Sequence, residues 1–230
     1  MTDAASRVVT IDLRTDTVVS TVSTGGADNL RADELAYDPT DGLLLVVNNA
    51  DTPPFATLIH VNKMTGALTL GARVTLDAAH GVDAQNGAEQ PVWDPGTGRF
   101  FLSIPQIGPN VKDGGVVRID PVTAVVEHTF PVEFCSPAGL TLGPNEDVLV
   151  GCSTVFDTAG NVWNPTGTVT AAPKDVILNV VKGSTKDVPG AGAGDEVWFN
   201  SGDGNYYATG SGSPFVPFRL PRPREQPRSA

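Results

Sequence analysis

One strand–turn–strand unit recurs about every fifty residues in this chain, and it limits the possible folds more than any other feature. The clearest copies are Leu35-Ala-Tyr-Asp-Pro-Thr-Asp-Gly-Leu-Leu-Leu-Val-Val47 and Val92-Trp-Asp-Pro-Gly-Thr-Gly-Arg-Phe-Phe-Leu-Ser-Ile104. Fainter copies run from Leu140 to Val150 and from Val197 to Ala208. Each is an apolar strand, a polar turn rich in Asp, Pro, Gly or Asn, and a second apolar strand. A lone hairpin cannot bury its own apolar face, so several copies must stack on one another.

A second hairpin type alternates with the first. It reads apolar strand, Asp or Asn, short turn, apolar strand, at Val8 to Val19, Leu58 to Leu68 and Val116 to Val126, with a degraded copy through Val176 to Val181. One hairpin of each type makes a four-stranded antiparallel sheet, close to the ~40–50-residue period of a propeller blade. No segment of helical period competes. The pattern predicts an all-β chain, a β-propeller with about four blades over residues 1–213. The chain opens on a second-type hairpin and closes on a first-type one. The ends therefore either join to complete a four-bladed ring or belong to a piece of a six- or seven-bladed propeller, the preferred of the two readings.

Residues 214–230 break the pattern. They hold five prolines together with Arg219, Arg222, Arg224 and Arg228. Proline removes ladder donors, so this tail is expected to stay outside the propeller, as an unstructured end or a basic or polyproline interaction segment. Two long loops, Asp77 to Glu89 and Ser153 to Lys174, are the loops expected to carry binding.

Acidic residues outnumber basic ones by 26 to 15, for a net charge of −11, which argues against a nucleic-acid partner. A small molecule or a protein at one propeller face is the expected partner. No run is apolar enough to span a membrane. Met1 to Arg7 lacks the apolar core of a secretory signal, so the residues leave the compartment open, cytoplasmic included. Cys135 and Cys152 flank one hairpin turn near Asn145. They are either a disulfide in an oxidising compartment or two buried thiols.

Alignment of the first-type hairpins on their turns puts Asp38, Asp94, Gly143 and Asn200 in one column. Five residues upstream stand Asp33, Glu89, Ala138 and Asp195, and four upstream stand Glu34, Gln90, Gly139 and Glu196. These positions enter the innermost strand of each blade, and in a propeller such entry points converge at one mouth of the central channel. Converging carboxylates repel unless a cation or proton compensates. Asp33, Glu34, Glu89, Asp195 and Glu196 are therefore candidate ligands for a divalent cation, Ca²⁺, Zn²⁺ or Mn²⁺, which would polarise a carbonyl or activate water. The competing reading is that they cap strand ends in solvent. His80, in the loop before Glu89, is a candidate general base. There is no Gly-x-Ser-x-Gly nucleophile, and Gly190 to Gly194 leads into a strand, without the helix dipole that holds phosphate. Trp93 and Trp198 are expected to pack between blades.

Two resemblances follow from these segments. Val9-Thr-Ile-Asp-Leu-Arg-Thr-Asp-Thr-Val-Val-Ser-Thr-Val22 resembles a blade of the YVTN-type propeller repeat. That repeat implies a periplasmic or extracellular protein and hence a Cys135–Cys152 disulfide, but no particular reaction. Glu89-Gln-Pro-Val-Trp-Asp-Pro-Gly-Thr-Gly-Arg-Phe-Phe101 resembles the opening blade motif of the gluconolactonase/regucalcin family, six-bladed propellers whose channel metal hydrolyses sugar lactones. That resemblance implies Glu89 as a metal ligand and Asp195 as the catalytic Asp. Where the family carries a metal-binding Asn, this chain has Ala138. The expectation is a non-catalytic binding propeller using its channel mouth and the Ser153–Lys174 loop. The alternative is a metal-dependent lactone hydrolase, with Asp195 as base and Glu89 and Asp33 as ligands.

Overall fold

The structure, a computed structural model, describes residues 1–164, 173–192 and 194–209. The opening sheet has three strands, β1 (Thr2–Asp3), β2 (Arg7–Asp12) and β3 (Thr17–Ser23). Three four-stranded antiparallel sheets follow. The first holds β4 (Leu35–Asp38), β5 (Leu43–Asn48), β6 (Phe55–Val61) and β7 (Leu68–Thr75). The next holds β8 (Pro91–Asp94), β9 (Arg99–Ile104), β10 (Asp113–Asp120) and β11 (Val125–Glu133). The third holds β12 (Cys135–Leu142), β13 (Asp147–Val155), β14 (Lys174–Asn179) and β15 (Thr185–Pro189). A last hairpin, β16 (Val197–Asn200) with β17 (Asn205–Ala208), stands as a two-stranded sheet. Among the described residues there is no α-helix, only short 3₁₀ turns at Ala78–His80 and Pro144–Glu146.

Each four-stranded sheet is one hairpin of each sequence type joined in chain order, as the alternation predicts. The recurrent turn chemistry has a visible purpose. Asp38 accepts from the Thr40 N–H at 2.8 Å, Asp94 from the Gly96 N–H at 2.8 Å and the Thr97 hydroxyl at 2.7 Å, and Asn200 from the Gly202 N–H at 2.9 Å. These side chains satisfy backbone donors that a tight turn leaves orphaned.

Strand alternation lets each sheet serve two neighbours. In β5, Leu44 and Val46 face back to Val8 of the opening sheet, whereas Leu43, Leu45 and Val47 face forward to Phe100, Leu102 and Val117. Phe101 and Val116 in turn pack on Leu140, Val150 and Leu178, and Leu149 and Ile177 pack on Val197 and Tyr206. Trp93 lies in this stack, its ring centroid 4.7 Å from that of Phe100. Trp198 departs from expectation. It is 63% exposed on the face of β16 opposite Val197, where no described sheet follows.

Cys135 and Cys152 are disulfide-bonded across β12 and β13, with Cα atoms 5.2 Å apart. A register shift at Ser136 and Pro137 sets them diagonally, Cys152 facing Pro137. The first and last hairpins lie in separate sheets. The inner edge of β2 is taken by the N-terminal residues, with the Val9 N–H on the Met1 carbonyl at 2.9 Å. The tail 214–230 and residues 165–172 of the long Ser153–Lys174 loop lie outside the described residues.

Candidate functional site

Strands β4, β8, β12 and β16 form one edge of each sheet and contact one another in that order, so they are the inner strands. Each is entered by a short segment pinned to the second strand of its own sheet. Asp33 N–H donates to Val47 O at 2.8 Å and Val47 N–H to Glu34 O at 2.9 Å. Glu89 N–H donates to Ser103 O at 2.9 Å, and Thr209 N–H to Glu196 O at 3.1 Å. The acids therefore sit on ladder-bonded backbone, and neighbouring residues alternate in direction. The third sheet is bare at this level for a steric reason. A Cβ on Gly139 would lie 2.7 Å from the Asp195 carbonyl, so the entry to β16 passes where only glycine leaves room.

The electrostatics tie the entry segments together. Glu34 is half-buried and its carboxyl is pushed up to about 7, first by burial and then by Glu196, Asp33 and Asp195. Glu89, also half-buried, is pushed up to about 7 by burial, then by Asp33, Asp195 and Glu34. Glu34 thus feels Asp33, Asp195 and Glu196, and Glu89 feels Asp33, Glu34 and Asp195, so the entries to the first and second four-stranded sheets and to the last hairpin are electrostatically linked. Arg31 is the opposing cation for both glutamates. Its guanidinium forks onto Asp33, Nε to Oδ1 and Nη2 to Oδ2 each at 2.9 Å, and its proton is held more tightly for that reason. Gln90 bridges the sheets. Its Oε1 accepts from Leu140 N–H at 2.7 Å and its Nε2 donates to Glu196 at 3.4 Å.

Among the described residues, no three His, Cys, Asp or Glu side chains are placed to share one metal ion as they stand. Where the lactonase-type set would need a third donor, Ala138 is buried at 3% exposure and offers a methyl group. His80 is held elsewhere. It sits on the short turn Ala78–His80, exposed, with Nδ1 2.6 Å from Asp77 Oδ1, and that bond keeps the Asp77 carboxyl below its ordinary range. It is absent from the groups that act on Glu34 and Glu89.

Sequence reasoning missed two parts of this site. Arg31 stands two residues before the aligned column and in no repeat position. The other is a cleft of about 630 Å³ beside Glu89, whose lining includes Asn49, Asp51, Asp77, Asp83 and Gln85. Its walls are the Asp77–Glu89 loop and the segment after β5, so the first loop does border a cavity. Asp51 lies in the stretch Asn48 to Pro54, where Asn-Asn-Ala-Asp-Thr-Pro-Pro reads simply as turn chemistry.

No protein-family model matches the chain, and no curated protein matches it by sequence. Solved structures do resemble it. The Dos1 propeller superposes with a TM-score of 0.60 at 12% identity, over 88% of this chain and 47% of that one. Saccharomyces cerevisiae Sqt1 gives 0.60 at 14% identity, over 95% and 54%. Kuenenia stuttgartiensis hydrazine synthase gives 0.51 at 12% identity, over 88% and 67%. The chain thus spans about half the length of the first two. At such identities the likeness establishes the fold: the chain is a β-propeller protein by architecture.

Proposed function

We propose that this chain is a β-propeller binding module whose channel mouth takes a cationic ligand, presented by a small molecule or by a basic side chain of a protein partner. One observation carries the reading: Glu34 and Glu89, both half-buried, each feel Asp33 and Asp195, and Glu34 feels Glu196 as well, with Arg31 as the opposing cation. Like charges in a half-buried setting hold protons they would lose in water, and a bound cation releases those protons and relieves the repulsion. Because among the described residues no three acids converge on one point, an organic ammonium or guanidinium group, with charge spread over several donors, suits these acids as they stand. Arg31 is the chain's own example of such a group. Ca²⁺, Mn²⁺ or Zn²⁺ would need the side chains to draw together first. A metal-dependent lactone hydrolase would need in addition a donor that Ala138 does not supply.

The test is a set of thermal melts near pH 8 with spermidine, arginine amide, Ca²⁺, Mn²⁺ or Zn²⁺, each against chelator alone. A ligand that binds only the folded chain raises the midpoint. The expected result is a rise with the organic cations that is lost in Glu34→Gln/Glu89→Gln. No shift with any cation rejects the site, and lactone turnover that disappears in Glu89→Gln replaces it with the hydrolase.

A further inference from the structure

The loop that walls the cleft beside Glu89 contains Asn86-Gly87, the one Asn-Gly pair in the sequence. The loop is pinned on either side of that pair. Gln85 N–H donates to Gln106 O at 3.1 Å, and Glu89 N–H to Ser103 O at 2.9 Å. Between these anchors the Gly87 N–H donates to no group among the described residues. The Asn86 side chain, exposed on the cleft rim, bonds none of them either. Other asparagines are held. The side-chain amides of Asn48, Asn110, Asn161 and Asn179 each donate to a neighbouring side chain. Other glycines that follow an acid are held too. The N–H groups of Gly42 and Gly204, after Asp41 and Asp203, donate to the Asp38 and Asn200 carbonyls at 3.0 and 2.9 Å.

We infer that Asn86 is a site of self-modification, losing its side-chain amide through a cyclic imide closed by Gly87 and leaving a carboxylate on the rim of the cleft. A backbone nitrogen attacks most readily when its N–H is not committed to an acceptor, and glycine has no side chain to shield its nitrogen. Both conditions meet at Gly87, whose φ of 80° is a state that glycine adopts without strain. In the first step Gly87 N bonds to Asn86 Cγ and the Cγ–Nδ2 bond breaks. The side-chain nitrogen leaves as ammonia, carrying the proton that Gly87 N loses. Water then opens the imide at one of its two carbonyls, its hydroxyl going to carbon and its hydrogen to the Gly87 nitrogen. Opening at Cγ leaves an aspartate, and opening at the main-chain carbonyl leaves an isoaspartate. Either product replaces a neutral amide by a negative charge. The cleft lining already holds Asp51, Asp77, Asp83 and Glu89, with no Lys, Arg or His among its described residues. Glu89 Oε1 is 3.8 Å from where a Cβ on Gly87 would stand, so the new charge arises close to it. Conversion therefore strengthens the hold on a cation, a consequence that rests on the mouth being a cation site.

The folded chain, the chain unfolded in urea and folded Asn86→Gln are held near pH 8, and ammonia release and peptide mapping follow position 86. The folded chain should convert at a rate within about tenfold of the unfolded one, because no local bond has to open first. Asn86→Gln should lose most of the ammonia release, since its longer side chain closes a less favoured ring. A folded chain that stays unmodified at position 86 while the unfolded chain converts overturns the inference, as does ammonia release that Asn86→Gln leaves unaltered. Titration of Asn86→Asp with spermidine tests the consequence separately. It should bind about threefold tighter than the parent, the effect of one added charge at short range. Equal binding overturns the link to the mouth. If spermidine binds neither chain, the cation reading fails, and conversion at position 86 stands on the mapping alone.

Discussion

At the scale of single residues, the chain keeps glycine where two sheets pass closest. At Gly143 a Cβ would overlap the Tyr206 ring and hydroxyl, which donates to Asp147 O at 3.1 Å. Burial, and then Asp147, keep that phenol protonated well above its ordinary range. Gly143→Ala should push Tyr206 off the preceding sheet and cost about 1–3 kcal/mol, read by urea melts, with loss of tyrosine protection from quenchers. The glutamates give a prediction of opposite sign. Glu34 and Glu89 have folded values of about 7 against 4.5 in the unfolded chain. Their protonated forms favour the fold, so their contribution is complete below about pH 4.5 and is lost as pH rises through about 7. Glu89→Gln should therefore match the parent near pH 4.5 and exceed it near pH 8 by roughly 1–2 kcal/mol, after discounting for partial exposure. A parent that is the more stable at pH 8 would mean that the fold already compensates the charge. The acids were legible because they fell into columns five and four residues before a recurrent turn. Arg31, Asp51 and Asp83 were not, because no repeat position marks them.

At the scale of elements, the first-type hairpins and most of the second-type ones could be read from apolar alternation around Asp, Asn, Pro and Gly. What escaped was whatever depends on a partner. β15 carries the sequence Thr-Lys-Asp-Val-Pro, too polar to announce itself, and is a strand because β14 offers it a ladder. β1 is a two-residue strand made by pairing with Arg7 and Val8. Trp198 looked like a residue packed between blades because it falls next to the aromatic position of the inner strand, and its exposure reflects the neighbour it lacks among the described residues. The cysteines left two alternatives open in the sequence, and the β12–β13 register brought them together. Their bridge closes a short segment, 17 residues apart in sequence, so it should stabilise by about 3 kcal/mol. Reduction, or Cys135→Ala/Cys152→Ala, should lower the melting midpoint by roughly 5–10 °C while leaving the strand signal intact. A change below a degree would show that packing around the two buried sulfurs already fixes the hairpin.

At the scale of the whole molecule, two kinds of charge repulsion act on stability, and salt separates them. The net charge of −11 is spread mostly over exposed carboxylates, and its self-repulsion is screened within about 8–10 Å at moderate ionic strength. The mouth acids are half-buried and close, so salt screens them less. A third buried acid complicates the profile. Asp175 on β14 is fully buried, accepts from Cys152 N–H at 3.0 Å, leaves its second oxygen without a partner among the described residues, and is pushed up to about 6 by burial. By the same sign argument its contribution is lost between about pH 4 and 6 and is constant above that. The parent should therefore lose stability with rising pH in two stages, one ending near pH 6 and one continuing through pH 7. Moderate salt should flatten the general drift and leave both stages in place. Glu34→Gln/Glu89→Gln should remove the later stage alone, making the salt-screened midpoint level from about pH 6.5 to 8, whereas Asp175→Asn should remove the earlier one. If salt by itself levels the parent over that upper range, the mouth acids are solvated like any surface carboxylate, and the channel mouth loses its claim to be a site.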